Sequence, residues 1–255
     1  MTEPLALILT PVKNATAHLD RYFALLERLT YPADRLSLGL LESDSTDGTF
    51  EEVNRRLAPL QGRWRRARAW RRNFGLHLPE DQPRWGPHLQ IPRRTALAKS
   101  RNHRLMRSLD DEDWVLWIDV DLVDYPADIV EHLLGYDKQI LQPHCVRQPG
   151  GQTFDLNAWS RDGTIHMDQQ RGGSELVRLD SVGGTMLLVH ADLHRDGLIF
   201  PPFFYGAGNS AIRRRHPLLH RAAGEIETEG LGIMARDMGV QCWGLPNLEI
   251  FHGGN

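Results

Sequence analysis

Trp114-Val115-Leu116-Trp117-Ile118-Asp119-Val120-Asp121 joins five consecutive apolar residues to two aspartates. A continuous apolar run closed by polar residues reads as a strand buried on both faces, as in a parallel sheet covered by helices. Residues two apart on an extended chain point the same way, so Asp119 and Asp121 face one site. That site lies at the carboxyl end of the strand, where open α/β sheets bind ligands. Adjacent carboxylates repel unless a cation lies between them, and their oxygens suit hard cations such as Mn²⁺ or Mg²⁺. An Asp-x-Asp alone is a common turn; its place after the strongest strand gives it weight.

Working outward, Leu5 to Leu9 is a second apolar run, ended at Thr10-Pro11, a strand breaker. Leu19, Tyr22, Phe23, Leu26 and Leu29 follow at helical spacing, with Asn14 or Thr16 as cap. Leu36 to Leu41 is another strand, and Phe50, Val53 and Leu57 mark another helix. Residues 61–92 show no period, and Arg93 to Leu109 reads as a helix. Pro126 opens a helix running to Leu134, and Gln139 to Pro143 is a short strand. Residues 144–180 are irregular and glycine-rich, as substrate loops often are. Val182 to His190 is a strand, Gly206 to Arg221 is irregular and Glu227 to Met238 is a helix. Gln241 to Gly244 and Leu248 to Phe251 read as two final strands. Alternating strands and helices imply one α/β domain with a mixed, mostly parallel sheet flanked by helices. Its nucleotide-binding half spans about residues 1–125 and its acceptor-side half about 126–255.

Composition narrows the classes. With 255 residues, 41% hydrophobic and 25% charged, the chain is neither disordered nor collagen-like. Its two cysteines, Cys145 and Cys242, cannot form a disulfide scaffold or a four-thiolate zinc site. No apolar run of about 18 residues is present, and the first ten residues lack a signal peptide's basic region. The expectation is a cytoplasmic protein, or one peripheral to a membrane, without a transmembrane segment. The net charge of −3 hides an asymmetry. Arg55 to Arg104 carries thirteen Arg and one Lys against Glu80 and Asp81, a net +12; Leu105 to Ile140 carries a net −8. Basic and acidic segments in succession suit a site that holds an anion and a cation together; solvated surface charge is the plain alternative.

Several residues are placed for chemistry. The helix from Arg93 sets Arg94, Ala98 and Arg101 on one stripe, two guanidinium forks around a small residue that a phosphate can approach. Asn102 adds a neutral donor and acceptor. The turns Thr10-Pro11-Val12-Lys13-Asn14 and Ser43 to Asp47 open on the edge that carries Asp119, and Asp44 is suited to accept bonds from a base or ribose. Glu225, Glu227 and Glu229 crowd a helix start, where the dipole favours carboxylates regardless of function. His252 ends the last strand. Motifs of P-loop, α/β-hydrolase and zincin enzymes are missing.

These pieces, taken in order, resemble the fungal Golgi mannosyltransferases of the Anp1/Van1/Mnn9 family. The stretches that carry the resemblance are ILTPVKN (8–14), LTYP (29–32), SDSTDGT (43–49), RRTALAKSRN (93–102), the Asp119-Val120-Asp121 segment, VGGTML (182–187), Phe200-Pro201-Pro202, ETEGL (227–231) and GLPNLEIFH (244–252). The resemblance implies a GT-A, Rossmann-like glycosyltransferase fold with GDP-mannose as donor, Mn²⁺ or Mg²⁺ as metal and retention of configuration. By motif, Asp119, Asp121 and His252 would hold the metal, with Asp121 also counted as catalytic. Thr10, Pro11, Lys13, Asn14, Ser43 and Asp44 would hold the nucleoside. Arg94, Arg101 and Asn102 would face the diphosphate or sugar, and Glu227 or Glu229 the transferred sugar or acceptor. The acceptor would be a glycan, glycolipid or small hydroxyl compound, handled by residues 144–180 and 203–222, and no nucleic acid is expected. The fungal enzymes are membrane-anchored, whereas this sequence starts almost at its first strand, which reads as a soluble relative. Arg supplies 27 of the 30 Lys and Arg residues, a bias that points to a GC-rich, bacterial genome. The rivals are a nucleotide-sugar hydrolase or nucleotidyltransferase on the same scaffold, and a non-catalytic anion or nucleic-acid binder. The last would use the basic segment, with Trp64, Trp70 and Trp85 stacking on bases.

Overall fold

Four runs become a parallel block: β1 (Ala6–Val12), β2 (Leu36–Glu42), β3 (Arg66–Arg71) and β4 (Trp114–Ile118), in the spatial order β3-β2-β1-β4. The structure is a computed structural model that describes residues 3–77, 86–161, 163–206 and 224–253. The remaining strands are β5 (Leu122–Asp124), β6 (Ile140–Val146), β7 (Val177–Leu179), β8 (Met186–His190), β9 (Tyr205–Gly206), β10 (Gly224–Glu225) and β11 (Cys242–His252). β8 runs antiparallel between β4 and β6. β6 pairs in parallel with β11, which also takes β5 and β7 as antiparallel partners. β1 to β4, β6 and β11 therefore share one direction, and the sheet is mixed and mostly parallel. β9 and β10 form a separate ribbon.

Helices cover both faces. α1 (Thr16–Glu27) and α2 (Thr49–Leu57) lie on one; α3 (Pro87–Ser108) lies on the other, joined by α6 (Glu227–Asp237). α4 (Ile129–Leu134) and α5 (Ala191–Arg195) are short. The alternation of each strand divides the core. Ile8, Leu38, Leu40 and Leu116 pack with Leu19, Phe23 and Leu26 of α1. Leu7, Leu9, Val115 and Trp117 pack with Ala98 and Leu105 of α3 and with Leu231 of α6.

The structure corrects several sequence expectations. β1 continues through Pro11 to Val12, still paired with β2. The carbonyl of Val12 accepts from Ser43 on the β2 side. Pro11, one residue back, therefore turns its missing N–H toward β4, whose pairing with β1 stops at Leu9. Neither Asn14 nor Thr16 caps α1; Asp47 Oδ2 accepts the Thr16 N–H at 3.1 Å, and Thr49 Oγ1 the Ala15 N–H at 2.7 Å. β3 and the first turn of α3 fall in the stretch that shows no period. The two final strands are one, with a register shift between Leu245 and Glu249. The ranges 144–180 and Val182 to His190 resolve into β6, β7 and β8 with loops between them. Most of Gly206 to Arg221, and Trp85, lie outside the described residues.

The charge asymmetry resolves into pairing. Arg65 and Arg66 bind Asp110, Asp111 and Glu112, and Arg71 binds Glu42 and Glu51. Much of the basic segment is therefore neutralised within the fold, and Trp64 is buried. Trp64 therefore offers no face to a base, and the Trp70 ring already carries the Arg104 guanidinium.

His194 of α5 sits in the core against Trp117 and Phe200. Its Nδ1–H donates to the Leu198 carbonyl at 2.7 Å, and burial pushes its pKa down to about 4. The folded state thus refuses a proton that the unfolded chain takes up below its ordinary pKa of about 6.5. Stability is unaffected above that pH and falls between it and pH 4. Linkage gives a loss of about 2 kcal/mol on going from pH 7 to pH 5. Urea unfolding at the two pH values should show this loss, and His194→Asn should shrink it; an equal loss in both proteins would contradict the assignment.

Candidate active site

The carboxyl ends of β1, β2, β3 and β4 open on one edge, and two adjoining cavities lie there. The first, about 450 Å³, is lined by Pro11, Lys13, Asn14, Ser43, Asp44, Arg93 and Leu97, among others. Its loops are tied together. Asn14 Oδ1 accepts from the Thr46 N–H at 2.9 Å, and the Asn14 N–H donates to Ser45 Oγ at 3.0 Å. Asp44 adopts a left-handed φ of 56°, a conformation Asp tolerates better than most residues. Its carboxylate accepts the Gly75 N–H at 2.9 Å and the Phe74 N–H at 3.1 Å. Burial pushes Asp44 up, but backbone donors from Phe74, Gly75 and Leu76, with Lys13, outweigh it and hold the carboxyl below its ordinary value. Lys13 is in turn lowered by burial, against the pull of Asp44 and Glu42, and its Nζ donates to the Leu76 carbonyl.

The second cavity, about 650 Å³, shares Arg93 and Leu97 with the first and gathers Arg94, Arg101, Asp119, Asp121, Glu227 and His252. These residues come from α3, from the end of β4, from the start of α6 and from the end of β11. Arg101 is 1% exposed. Its Nη2 lies 3.0 Å from Asp119 Oδ1, its Nε 3.0 Å from Glu227 Oε1, and it donates to the Gly184 carbonyl. Such proximity demands glycine: a Cβ on Gly184 would lie 2.5 Å from Arg101 Nη2, and one on Gly183 only 2.1 Å from Asp155 Oδ2. Asp121 Oδ2 lies 3.2 Å from His252 Nε2. His252 stacks on Phe154, ring centres 3.9 Å apart, and its Nδ1–H donates to the Gly253 carbonyl at 2.6 Å.

The electrostatics invite a cation. Burial pushes Asp119 up to about 7; Arg101 opposes this, while Asp121, Asp155 and Glu227 add to it. Burial also raises Asp121, but the His252 hydrogen bond and charge outweigh it and hold that carboxyl below its ordinary value. No group of three His, Cys, Asp or Glu side chains converges as a finished cage among the described residues. Even so, the donor chemistry fits a divalent ion. Asp119 and Asp121 supply hard oxygens on one cavity wall. The Nδ1–H bond to the Gly253 carbonyl orients the His252 ring and leaves Nε2 as its ligating nitrogen.

The expected residues divide into two groups. Pro11, Lys13, Asn14, Ser43 and Asp44 line the first cavity; Arg94, Arg101, Asp119, Asp121, Glu227 and His252 line the second. Three expected residues line neither. Thr10 is fully buried, its hydroxyl shared between Tyr22 Oη and the Ile118 carbonyl. Asn102 is bonded through both amide atoms to the Phe200 backbone. Glu229 is sealed against Arg94 at 2.8 Å and the Trp159 indole N–H at 2.6 Å. Sequence reasoning missed Asp155, Arg147, Phe154 and Asn157, all in the irregular loop after β6. Asp155 Oδ2 accepts from the N–H groups of Gly184 and Thr185, which holds that loop against β8. No periodicity marks such a residue; its signal is an acidic side chain in a glycine-rich loop facing the Asp119 edge.

Solved structures share this architecture at low identity. The mannosyltransferase PcManGT from Pyrobaculum calidifontis, solved with GDP-Man and Mn²⁺, superposes with a TM-score of 0.57 at 16% identity, covering 99% of this chain and 57% of that one. GalNAc-T7 with UDP, GalNAc and Mn²⁺ gives a TM-score of 0.60 at 12% identity over 99% of this chain and 44% of that one. The fold is that of a GT-A glycosyltransferase. By sequence, the chain is 28% identical to the mannan polymerase II complex anp1 subunit of Schizosaccharomyces pombe, over 96% of this chain and 63% of that protein. It is also 28% identical to the mannan polymerase complex subunit MNN9 of Candida albicans, over 96% of this chain and 74% of that protein. The chain thus spans less than two thirds of the fission-yeast relative's length. The Anp1 family profile matches residues 2–171 and 164–204. The chain belongs to the Anp1 family.

Proposed function

We propose that this protein is a metal-dependent, retaining glycosyltransferase that moves mannose from GDP-mannose to a hydroxyl acceptor, a glycan, glycolipid or small alcohol, from the cytoplasmic side. The observation that carries the reading is the meeting, at one edge of the sheet, of a nucleoside-sized cavity with a second cavity holding Asp119, Asp121, His252 and Glu227. Membership of the Anp1 family supports it, as do the GDP-Man and Mn²⁺ carried by the Pyrobaculum neighbour.

In this reading the first cavity takes guanosine and ribose, with Asp44 and the backbone of the β1 and β2 turns as polar partners. Asp119, Asp121 and His252 would hold Mn²⁺ or Mg²⁺, which when bound would supply positive charge for the diphosphate leaving group. Arg93, shared by both cavities, adds fixed positive charge where negative charge develops, while Arg94 holds Glu229 in place. Arg101 aligns Asp119 and Glu227 through one guanidinium. Glu227, not Glu229, faces the sugar, because Glu229 is spent on Arg94 and Trp159. The acceptor approaches past Arg147, Phe154 and Leu156, where Leu156 is 58% exposed.

Calorimetric titration with GDP, UDP, CDP and ADP, each with and without Mn²⁺, tests the reading. Metal-dependent binding of GDP alone is expected, followed by mannosyl transfer from GDP-mannose. Equal affinity for all four nucleotides, or sugar release that needs no acceptor, would replace it with the hydrolase reading. Asp44→Asn removes the charge that organises residues 74–76, and GDP affinity should fall about tenfold, the worth of one charge-assisted hydrogen bond. Unchanged GDP affinity in that variant would remove Asp44 from the nucleoside site.

A further inference from the structure

Arg104 plays no part in the site above. It follows Arg101 by three residues on α3, and its side chain is 0% exposed. It is wedged against β2: a Cβ on Gly39 would lie 2.3 Å from its Nη2, so glycine at 39 is the space this guanidinium fills. The group lies over the Trp70 ring, 4.4 Å from its centre. Among the described residues its one hydrogen bond is long, 3.5 Å from Nη2 to the Arg68 carbonyl oxygen, and Nε and Nη1 have none. Burial holds its proton affinity well below the ordinary value, with only Tyr22 opposing. A buried charge without a counter-charge is among the costliest arrangements a fold can hold.

The residues it touches, Arg68 and Trp70, are also walls of an open cavity of about 190 Å³, which Ser37, Arg66, Arg107 and Ser108 help to complete. Asp110 is the one carboxylate lining it, and Arg66 takes that group at 2.7 Å. Arg68 and Arg107 have no carboxylate partner among the described residues. Ser108 Oγ is buried without a hydrogen-bond partner. Two guanidinium groups without a carboxylate partner among the described residues, Arg68 and Arg107, and the hydroxyls of Ser37 and Ser108 thus line a small polar cavity, and Arg104 packs behind its Arg68 and Trp70 wall. The cavity lies by the amino-terminal ends of β2 and β3, whereas the nucleoside cavity lies beyond their carboxyl ends, roughly 20 Å away at ~3.3 Å per residue.

We propose that this cavity binds a phosphate dianion, free or as the terminal group of a phosphate monoester, at a second site distinct from the donor pocket. Guanidinium forks match the geometry of phosphate oxygens. The volume, about 190 Å³, is large enough for one phosphate group. Bound there, the anion is held by Arg68 and Arg107, adds negative charge beside the wall that Arg104 packs against, and braces α3, the helix that also carries Arg94 and Arg101.

Inorganic phosphate, titrated at constant ionic strength while the unfolding temperature is followed, tests this. A saturable rise is expected. Arg107→Ala should weaken phosphate binding tenfold or more while GDP binding stays unchanged. Arg104→Met should raise the unfolding temperature of the phosphate-free protein, because an uncompensated charge is removed, and should reduce the response to phosphate. Arg68→Ala, at an exposed position, gives the same reading should Arg104→Met fail to fold. Glycerol 3-phosphate and vesicles containing phosphatidic acid separate the sources. Response to the soluble compounds assigns a metabolite. Vesicle binding alone, lost in Arg107→Ala, assigns a lipid headgroup. A response that persists unchanged in Arg107→Ala and Arg68→Ala, or no response to any of the three probes, overturns the proposal.

Discussion

Asp121→Ala is expected to lower mannosyl transfer by about three orders of magnitude, since a metal contributes several kcal/mol to charge neutralisation and each 1.4 kcal/mol is about tenfold. The fold should survive. Asp121 is 27% exposed, and among the described residues its one side-chain partner is His252, so about 1 kcal/mol of stability is at stake. Single-turnover rates with GDP-mannose and Mn²⁺, beside a urea unfolding curve, separate the two effects. Asp121→Asn distinguishes charge from shape: it keeps the side chain's size but should fall nearly as far. Wild-type turnover with Mn²⁺ in either variant would remove Asp121 from the metal site. A rate loss matched by a collapse of the unfolding curve would make its role structural.

Arg101→Met should have the largest effect on stability. Methionine fills a similar length, so packing against Trp117 and Phe200 is largely retained. What is lost is the positive charge that lies 3.0 Å from both Asp119 and Glu227. Stranding buried carboxylates in this way costs about 3–5 kcal/mol, which corresponds to roughly 10 °C in a domain of this size. Adding Glu227→Gln to Arg101→Met removes one stranded charge and should restore a large part of the loss. A double variant no more stable than the single one would show that Glu227 was not held by Arg101. Donor binding should fall alongside stability in the single variant, because Asp119 and Glu227 share the cavity with Arg101.

The fold was legible where burial is two-sided. Leu5 to Leu9, Leu36 to Leu41 and Trp114 to Ile118 are apolar because helices cover both faces of β1, β2 and β4, and that constraint is local. β3 escaped because it is an edge strand. Its Arg-Ala-Arg-Ala-Trp-Arg alternates in period two, but Arg66 and Arg71 are held by distant carboxylates rather than by the core. β11 was divided because its register shift places Pro246, Asn247 and Leu248 outside the ladder with β6. The candidate site was legible in its ends of strands: Asp119, Asp121 and the turns after β1 and β2 follow from direction and spacing, whereas His252 entered only through the family resemblance. Glu227 and Glu229, two residues apart, could not be separated until the start of α6 set one toward the cavity and the other toward Trp159. Thr10 and Asn102 carry functional-looking groups that the core consumes, and only three-dimensional partners reveal it.

The reversed central strand bears on how the chain is made. β4 has one neighbour, β1, from the amino-terminal part of the sequence; its other neighbour is β8, nearly seventy residues later. During synthesis the block β3-β2-β1-β4 assembles from nearby segments, and then waits with Trp114 to Ile118 as an unpaired apolar edge until residues 186–190 emerge. Closing that edge is a long-range event, slow for entropic reasons, and an open strand edge recruits other chains. Chains truncated before residue 186 should aggregate, and refolding yield should fall steeply with protein concentration. The strand that completes the sheet is also the one that protects the nascent chain from its neighbours.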